Sequence, residues 1–404
     1  MTSYFASDSA IERVPTYAQL FFSLLERVRV GHLTLVMPSG ERRIFGNSMS
    51  LPGAVLTIHD WRACSRILKS GDIGFADAYQ AGWLDTPDLT DLLRFALCNE
   101  AVLPEAVWGK WISRLWYALL HRLRVNSRAG SKRNIHAHYD IGNAFYKQWL
   151  DPGMSYSSAL FAGEAAKSLE QAQTDKYEHI VQSLALRPGM QVLEIGCGWG
   201  GFALHAARQG IRVHAVTISE AQYELARQRI LDEGLTEVVR VELCDYRDLH
   251  GQYDAVVSIE MFEAVGEKFW PEFGRILHER LKPGAQALLQ SITIDEARFE
   301  HYRRSSDFIR QAIFPGGMLP SPERLLGVGR KAGLEGDITL RFGLDYAETL
   351  RRWRQAFEKN LTEVRRLGFD DAFVRVWRLY LAYCEAGFEE QRTDVVQFVF
   401  TRPS

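Results

Sequence analysis

One segment restricts the possible folds of this chain more than any other. The apolar run Val192-Leu-Glu-Ile is followed at once by Gly196-Cys-Gly-Trp-Gly. Glycines placed directly after a strand, where a helix begins, let the backbone turn sharply and approach a ligand closely. The acid Glu194 lies inside the strand, the spacing is GxGxG, and no Lys-Ser or Lys-Thr pair follows, which excludes a phosphate-binding P-loop. The segment therefore predicts a ligand-binding strand–turn–helix unit.

Strand-like and helix-like segments alternate on both sides of this unit. The predicted strands are 191–195, 213–216, 239–243, 253–259 and 285–291. The predicted helices are 168–184, 220–233, 271–281 and one that Gly196-Cys-Gly-Trp-Gly-Gly opens and that runs to about 209. Alternation at this spacing is typical of a doubly wound, mostly parallel sheet. We therefore expect an α/β, Rossmann-like fold for this part of the chain.

The chain divides into three predicted parts. Residues 1–104, with a hairpin at 32–45, predict a smaller α+β domain, and residues 134–404 form the α/β domain. Between them, residues 105–133 interleave tryptophans with lysines and arginines and carry an apolar stripe at helical spacing. One interpretation of this segment is a helix attracted to an anionic lipid surface. The other is a helix that packs its stripe on the next domain and continues as an exposed linker.

The composition excludes several classes of protein. Hydrophobic residues make up 47% of the chain and charged residues 24%, which indicates a folded rather than a disordered protein. The net charge of −2 gives no reason to expect nucleic acid. The five cysteines show no paired spacing, so we expect no disulfide framework and no metal site. The first 13 residues do not resemble a signal peptide, and no run of about 18 apolar residues would span a bilayer, so we expect a cytoplasmic protein.

The glycine segment resembles motif I of the S-adenosylmethionine-dependent methyltransferases. Arg187-Pro-Gly ahead of the first strand and Lys282-Pro-Gly ahead of a later one are also similar to that family. The resemblance implies S-adenosylmethionine as the cofactor, with Glu194 facing the ammonium of its methionine part. The cofactor-binding residues that it implies are Tyr156, Ser157, Glu194, Gly196, Cys197, Gly198, Gly200, Thr217, Ile218, Gln222, Asp245, Tyr246 and Ile259.

The positions expected to hold the nucleoside of the cofactor differ from those of most nucleotide-binding folds. The second strand ends at Thr217, where most nucleotide-binding folds place an acid for the ribose hydroxyls. Neutral Thr217 and Gln222 would then make these hydrogen bonds. Asp245 and Tyr246 follow the third strand, where an acid and a flat side chain commonly hold adenine. The alternative for this segment is a solvated, charged turn.

Longer motifs narrow the resemblance. Val216-Thr-Ile-Ser, Asp245-Tyr-Arg-Asp and Ser258-Ile-Glu-Met-Phe-Glu-Ala-Val-Gly are similar to segments of the cyclopropane-fatty-acyl-phospholipid synthase and mycolic acid cyclopropane synthase family. Further similar segments are His138-Tyr-Asp-Ile-Gly-Asn-Ala-Phe-Tyr, Tyr156-Ser-Ser-Ala-Leu-Phe, Ile313-Phe-Pro-Gly-Gly-Met-Leu-Pro-Ser and Asp345-Tyr-Ala-Glu-Thr-Leu. The resemblance covers residues 134–404 closely and residues 71–89 more loosely.

The resemblance also implies a set of catalytic residues. In this family an alkene of an acyl chain takes the methyl group, and an active-site bicarbonate removes a proton from the resulting cation so that the ring closes. Glu263 and Tyr346 match side chains that hold bicarbonate, and Ile292 matches a position that contributes its backbone N–H. Cys384 matches the family's C-terminal cysteine, although a buried apolar role explains it equally well.

Three positions depart from the family pattern. Ser158 stands where the family has cysteine, Gln290 where it has histidine, and Ala264 where it has a further histidine. Ser158 keeps the backbone N–H that would serve the anion. Glutamine carries no charge and shuttles no proton near neutral pH. Bicarbonate would therefore be held less tightly, or the proton would leave by a different route.

The implied function is the formation of a cyclopropane ring on an unsaturated acyl chain of a membrane phospholipid. The alternative is methylation without ring closure, with a partner reductase that completes a methyl branch. N-methylation of a small amine and a lipid-binding protein without activity are two further hypotheses. We expect a peripheral protein on the inner face of the membrane, with an acyl-chain pocket in residues 134–404, an anionic bilayer as partner, and a homodimer formed through residues 1–104.

Overall fold

The computed structural model describes residues 14–103, 141–164 and 166–404. These residues belong to two compact units, Met1–Arg114 and Leu115–Ser404. The predicted boundaries at 104/105 and 133/134 lie outside the described residues, as does the basic and aromatic segment 105–133. The three-part division and the role of that segment therefore stay predictions. Among the described helices, none is both long and apolar enough to cross a membrane.

The N-terminal unit has the predicted α+β architecture. Its elements are α1 (Thr16–Leu25), β1 (His32–Val36), β2 (Arg42–Gly46), β3 (Gly53–Ile58), α2 (Arg62–Gln80), β4 (Leu84–Asp85) and α3 (Leu89–Cys98). The four strands form a sheet in the order β2-β1-β3-β4, and β1 pairs antiparallel with β2, which confirms the predicted hairpin. Alternating buried residues in β1 and β3 place one face of this sheet in the core.

The larger unit is built on a seven-stranded sheet. Its strands are β5 (Gln191–Ile195), β6 (Arg212–Thr217), β7 (Val239–Leu243), β8 (Tyr253–Ile259), β9 (Leu281–Ile294), β10 (Glu335–Arg341) and β11 (Thr393–Thr401). The order is β10-β11-β9-β8-β5-β6-β7. The five strands from β5 to β9 pair in parallel, and β10 and β11 pair antiparallel at one side. The prediction of a doubly wound, mostly parallel sheet is confirmed.

Helices connect these strands and complete the unit. They are α4 (Asn143–Tyr146), α5 (Leu169–Ser183), α6 (Gly201–Arg208), α7 (Glu220–Asp232), α8 (Trp270–Arg280), α9 (Glu296–Arg304), α10 (Pro322–Lys331), α11 (Gly343–Lys359), α12 (Leu361–Arg366) and α13 (Asp371–Glu389). Strand β9 begins earlier than predicted. Leu281 already pairs with Tyr253 of β8, so Lys282-Pro-Gly lies inside the strand at a register irregularity rather than ahead of it.

The core lies on both faces of the larger sheet. Leu193 and Val256 pack with Phe273 in one cluster, whereas their chain neighbours Val192 and Val257 pack in a second cluster on the other face. Strands buried on both faces read as continuous apolar runs, which is why the central strands of a parallel sheet are easy to find in a sequence.

The strand order places the site. From β5 the chain proceeds outward to β6 and β7, then returns to the other side of β5 to form β8 and β9. Ligands of open α/β sheets bind outside the carboxyl ends of the strands at such a reversal. The residues that follow β5 and β8, which begin with Gly196 and Glu260, therefore meet at this edge.

Candidate active site

The turn after β5 needs its glycines. Gly196, Gly198 and Gly200 all have positive φ, at 82°, 52° and 84°. A Cβ at Gly196 would lie 2.7 Å from Cγ of Met261, so the chain approaches the β8 loop too closely for any side chain. At Gly198 no described atom lies within 4 Å of such a Cβ. The turn is thus tight against the protein on one side and open for a ligand on the other.

Glu194 points its carboxylate at this turn from inside the sheet. The residue is 3% exposed, and its Oε2 has no hydrogen-bond partner among the residues that the structure describes. Burial raises the pKa of Glu194 to about 8, against a lowering by Lys176 and by the Ala203 N–H. A buried acid with an unused oxygen beside an open glycine turn fits the ammonium of an amino-acid group such as that of S-adenosylmethionine.

The predicted nucleoside-binding residues follow β6 and β7. The Thr217 hydroxyl donates to Oε1 of Gln222 at 2.8 Å, and both residues are buried. This bond leaves the Gln222 amide NH₂ group as the donor for a ligand. Asp245 forms a bidentate ion pair with Arg247 and caps the following short helix. The acid expected to hold adenine is therefore already engaged by a neighbour.

A buried lysine that the sequence analysis did not single out lies behind the site. Lys176 on α5 is fully buried, and its Nζ donates to Oγ of Ser157 and to Oε1 of Gln173, each at 2.6 Å. Burial lowers the pKa of Lys176 to about 8, and three carboxylates oppose this shift: Glu260, Asp151 and Glu194. Lys176 is thus a buried cation that offsets the charge of these three acids.

Several of the groups expected at the reaction centre donate hydrogen bonds to Glu260. Its Oε1 accepts a hydrogen bond from the Ser158 N–H at 2.8 Å and another from Nε2 of Gln290 at 2.8 Å. The Tyr346 hydroxyl also donates to the Glu260 carboxylate. We call these three donors the Glu260 cradle. Burial raises the pKa of Glu260, while Lys176 and the cradle lower it.

Glu263 lies beside Glu260 on the next turn of chain. Its Oε1 accepts from the Ile292 N–H and from Oγ of Ser291, the latter at 3.0 Å. Its Oε2 is buried without a partner among the described residues. Burial first, and the neighbouring Glu260 charge second, raise the pKa of Glu263 to about 8. Two carboxyl groups this close do not both ionise readily.

Aromatic rings enclose the same region. Tyr346 packs at 5.8 Å from Trp353 and at 4.6 Å from Phe388, measured between ring centroids. Tyr156 lies 5.5 Å from Trp353, and its hydroxyl is 2.8 Å from that of Tyr380. Ring faces stabilise a nearby cation through their quadrupole. A centre of positive charge formed here would be surrounded by aromatic groups and carboxylates.

The remaining predicted residues lie at the same edge or beside it. Cys384 on α13 lies close enough to Tyr346 and Tyr380 to raise the pKa values of both hydroxyls. Burial raises the pKa of the Cys384 thiol, so this thiol is not a ready nucleophile. Cys197 is buried, and Ile218 and Ile259 are half-buried at the ends of β6 and β8.

Four contributing residues escaped the sequence analysis: Lys176, Gln173, Glu260 and Gln397. Gln397 is fully buried on β11, and its Nε2 donates to Oε1 of Gln290 at 3.0 Å. For Glu260 the signal was present in the motif Ser258-Ile-Glu-Met-Phe-Glu, which holds two acids. The other three carry no signal in the sequence, because each also bonds a residue at least 16 positions away: Lys176 and Gln173 bond Ser157, and Gln397 bonds Gln290.

Comparisons with known proteins show which family the chain belongs to. A family model described as mycolic acid cyclopropane synthetase matches residues 126–398. The tuberculostearic acid methyltransferase UfaA1 of Mycobacterium tuberculosis is 37% identical over 345 residues, which are 83% of this chain and 80% of that protein. The cyclopropane-fatty-acyl-phospholipid synthase of Escherichia coli K12 is 34% identical over 342 residues, 83% of this chain and 85% of that one.

A solved structure shows the same fold. The crystal structure of mycolic acid cyclopropane synthase CmaA1, complexed with SAH and CTAB, superimposes with a TM-score of 0.61 at 29% identity. The superposition covers 67% of this chain and 98% of that one. The class I methyltransferase fold is thereby confirmed. The chain belongs to the mycolic acid cyclopropane synthetase family and is an S-adenosylmethionine-dependent methyltransferase.

Proposed function

We propose that this enzyme transfers a methyl group to the double bond of an unsaturated acyl chain in a membrane phospholipid and closes a cyclopropane ring. The observation that carries the proposal is the pair of buried carboxyl groups, Glu260 and Glu263, set behind aromatic rings at the reversal of the sheet. Such a centre suits a carbon cation that must lose a proton. An acceptor such as an amine would already carry a lone pair and would need neither feature.

The residues around the glycine turn would hold the cofactor. Glu194 would pair with the ammonium of its methionine part, Gln222 would donate to the ribose, and Tyr246 would pack against the adenine. When bound, S-adenosylmethionine supplies a methyl group activated by its sulfonium. The SAH in the crystal structure of CmaA1, a protein 29% identical to this one, supports this assignment.

The acyl chain undergoes the remaining chemistry. The π electrons of its double bond form the new carbon–carbon bond, which leaves a positive charge on the neighbouring carbon. The faces of Tyr346, Trp353 and Phe388 and the nearby carboxylates stabilise this charge where it develops. A base then removes one proton from the new methyl group, and the released electron pair closes the ring.

A methyl-branched product is the second candidate, because UfaA1, at 37% identity, is named a tuberculostearic acid methyltransferase. A hydride shift before proton loss would leave a methylene branch, which a separate reductase would convert to a methyl branch. Both products lose one proton to the same base, so the carboxyl pair serves either one. Ring closure is the first candidate because it needs neither the shift nor the reductase.

Lipids from cells that express the protein distinguish the products. We expect proton NMR to show upfield ring protons, absent from cells that carry an empty vector. Vinylidene protons would instead establish the branched product, and mass spectrometry alone would not separate these isomers. Unchanged lipids in expressing cells would contradict the proposed function.

The substrate also implies a membrane surface. We propose that the protein docks on the inner face of an anionic bilayer as a homodimer, with residues 105–133 in contact with the headgroups. Seven lysine and arginine residues lie between 108 and 133 without any acid. Sedimentation with anionic and with neutral vesicles tests the docking, and equal binding to both would argue against it.

A further inference from the structure

The residues that the family resemblance assigns to bicarbonate are already engaged by side chains of this protein. The Ser158 N–H donates to Glu260, and the Ile292 N–H donates to Glu263. Tyr346, expected as a further ligand of the anion, donates to Glu260 as well. The residues present therefore do not fit a bound bicarbonate, because its donors are used.

The Glu260 carboxylate occupies the place of that anion. The cradle brings it donors from three separate parts of the chain: the Ser158 N–H ahead of α5, the Gln290 amide on β9 and the Tyr346 hydroxyl on α11. A carboxylate has the planar shape, the single negative charge and the basic oxygens of bicarbonate. Groups that would bind the one therefore suit the other.

Gln290 is oriented to serve a fixed carboxylate. The Gln397 amide donates to Oε1 of Gln290 at 3.0 Å, so the Gln290 NH₂ group faces Glu260. An amide held in this way donates a hydrogen bond to the carboxylate but does not act as an acid or a base near neutral pH. Gln290 thus stabilises the charged form of Glu260 without competing with it for the proton.

The backbone of Glu260 adopts a conformation that is unfavourable for a residue with a side chain. Its φ is 49°, in the left-handed region that favours glycine, and its N–H donates to the Gln290 carbonyl at 2.7 Å. This conformation is unfavourable for a residue that carries a Cβ. Residues held in such conformations concentrate at active sites. Glycine at this position would relieve the strain and empty the cradle.

We propose that Glu260 is the base of the reaction and that the enzyme works without bicarbonate. In the ring-forming reaction, a C–H bond of the transferred methyl group breaks, its electron pair forms the closing carbon–carbon bond, and the proton goes to the Glu260 carboxylate. The acid then loses the proton to water. The assignment rests on the proposed function, since it concerns the same cation.

Two variants test the assignment in buffer freed of carbon dioxide, with and without added bicarbonate. We expect the wild-type rate to be the same in both. Glu260→Gln should lower the rate by about 100-fold or more in both, because an amide takes up no proton. Glu260→Gly should be as slow without bicarbonate and should recover at least about tenfold with it, since glycine suits the backbone and opens the cradle.

A matched control and a second readout accompany these rates. Glu237→Gln alters an exposed acid ahead of β7, at the opposite edge of the sheet, and should behave as wild type. Binding of ¹³C-labelled bicarbonate, followed by NMR, needs no lipid. We expect saturable binding by Glu260→Gly and none by the wild type.

Two results would overturn the assignment: a wild-type enzyme that binds bicarbonate or needs it for its rate, or a Glu260→Gln variant with the wild-type rate. Failure of the proposed function looks different. In that case the wild type transfers no methyl group to any unsaturated lipid. The bicarbonate-binding measurement still decides whether the Glu260 carboxylate fills the anion's place.

Discussion

Replacing Lys176 with methionine is expected to lower the free energy of unfolding by about 3–5 kcal/mol, the usual effect of removing one partner of a buried ionic network. Methionine fills the same volume but leaves Asp151, Glu194 and Glu260 without their cation. It also removes the donor to Ser157 and Gln173. Denaturant unfolding at pH 8 measures the loss, and exposed Lys359 on α11 gives the matched control, Lys359→Met, with a change near zero.

The pH dependence separates this charge effect from simple packing. Burial raises the folded-state pKa values of these three acids. They are protonated at lower pH, and an uncharged acid needs no cation. The lowered pKa of Lys176, about 8, acts in the same direction, because folded wild type has partly lost the lysine proton at pH 8 and keeps it at pH 5. The difference between wild type and Lys176→Met should therefore shrink as the pH falls from 8 to 5. A difference that stays constant over this range would contradict the electrostatic role of Lys176.

Replacing Glu194 with glutamine is expected to weaken the binding of S-adenosylhomocysteine by about 10- to 100-fold at pH 8, because a charge-assisted bond to the ammonium is lost. The pKa of Glu194, about 8, leads to a second expectation. The free protein carries this acid protonated below pH 8, and the ligand's ammonium favours the ionised form. Binding should release a proton, and wild-type affinity should rise as the pH increases from 6 to 8.

Titration calorimetry in buffers of different ionisation enthalpy counts the released proton. Glu194→Gln should release fewer protons, and its affinity should change less with pH, since glutamine does not titrate. Equal affinity and equal proton release in the two proteins would show that Glu194 does not hold the ammonium.

The fold was largely predictable because its signals are local. The glycine turn follows an apolar strand directly, and the limits of β7 and β8 match the predicted 239–243 and 253–259. Strands that are buried on both faces leave continuous apolar runs, whatever lies next to them. The predicted start of β9 was wrong because Leu281 pairs with Tyr253, and this tertiary contact overrides the turn tendency of Lys282-Pro-Gly.

The composition of the site was less predictable because its key contacts are long-range. Lys176 reads in sequence as a solvated charge on a helix, yet α5 turns it inward to Ser157, 19 residues earlier in the chain. Glu260 and Glu263 are both acids of one short motif. Glu260 has a left-handed backbone, and its carboxylate accepts hydrogen bonds from Ser158 and Gln290, across separations of 102 and 30 residues.

Carbon from the cofactor is expected to reach the alkene of a lipid. Purified protein, anionic vesicles of a monounsaturated phospholipid and S-adenosylmethionine labelled with ¹³C in its methyl group provide the direct measurement, with vesicles of the saturated lipid as control. We predict that ¹³C NMR finds one labelled carbon bonded at the former double bond, and none in the saturated lipid. Label on a headgroup nitrogen, or in both lipids alike, would show that the alkene is not the methyl acceptor.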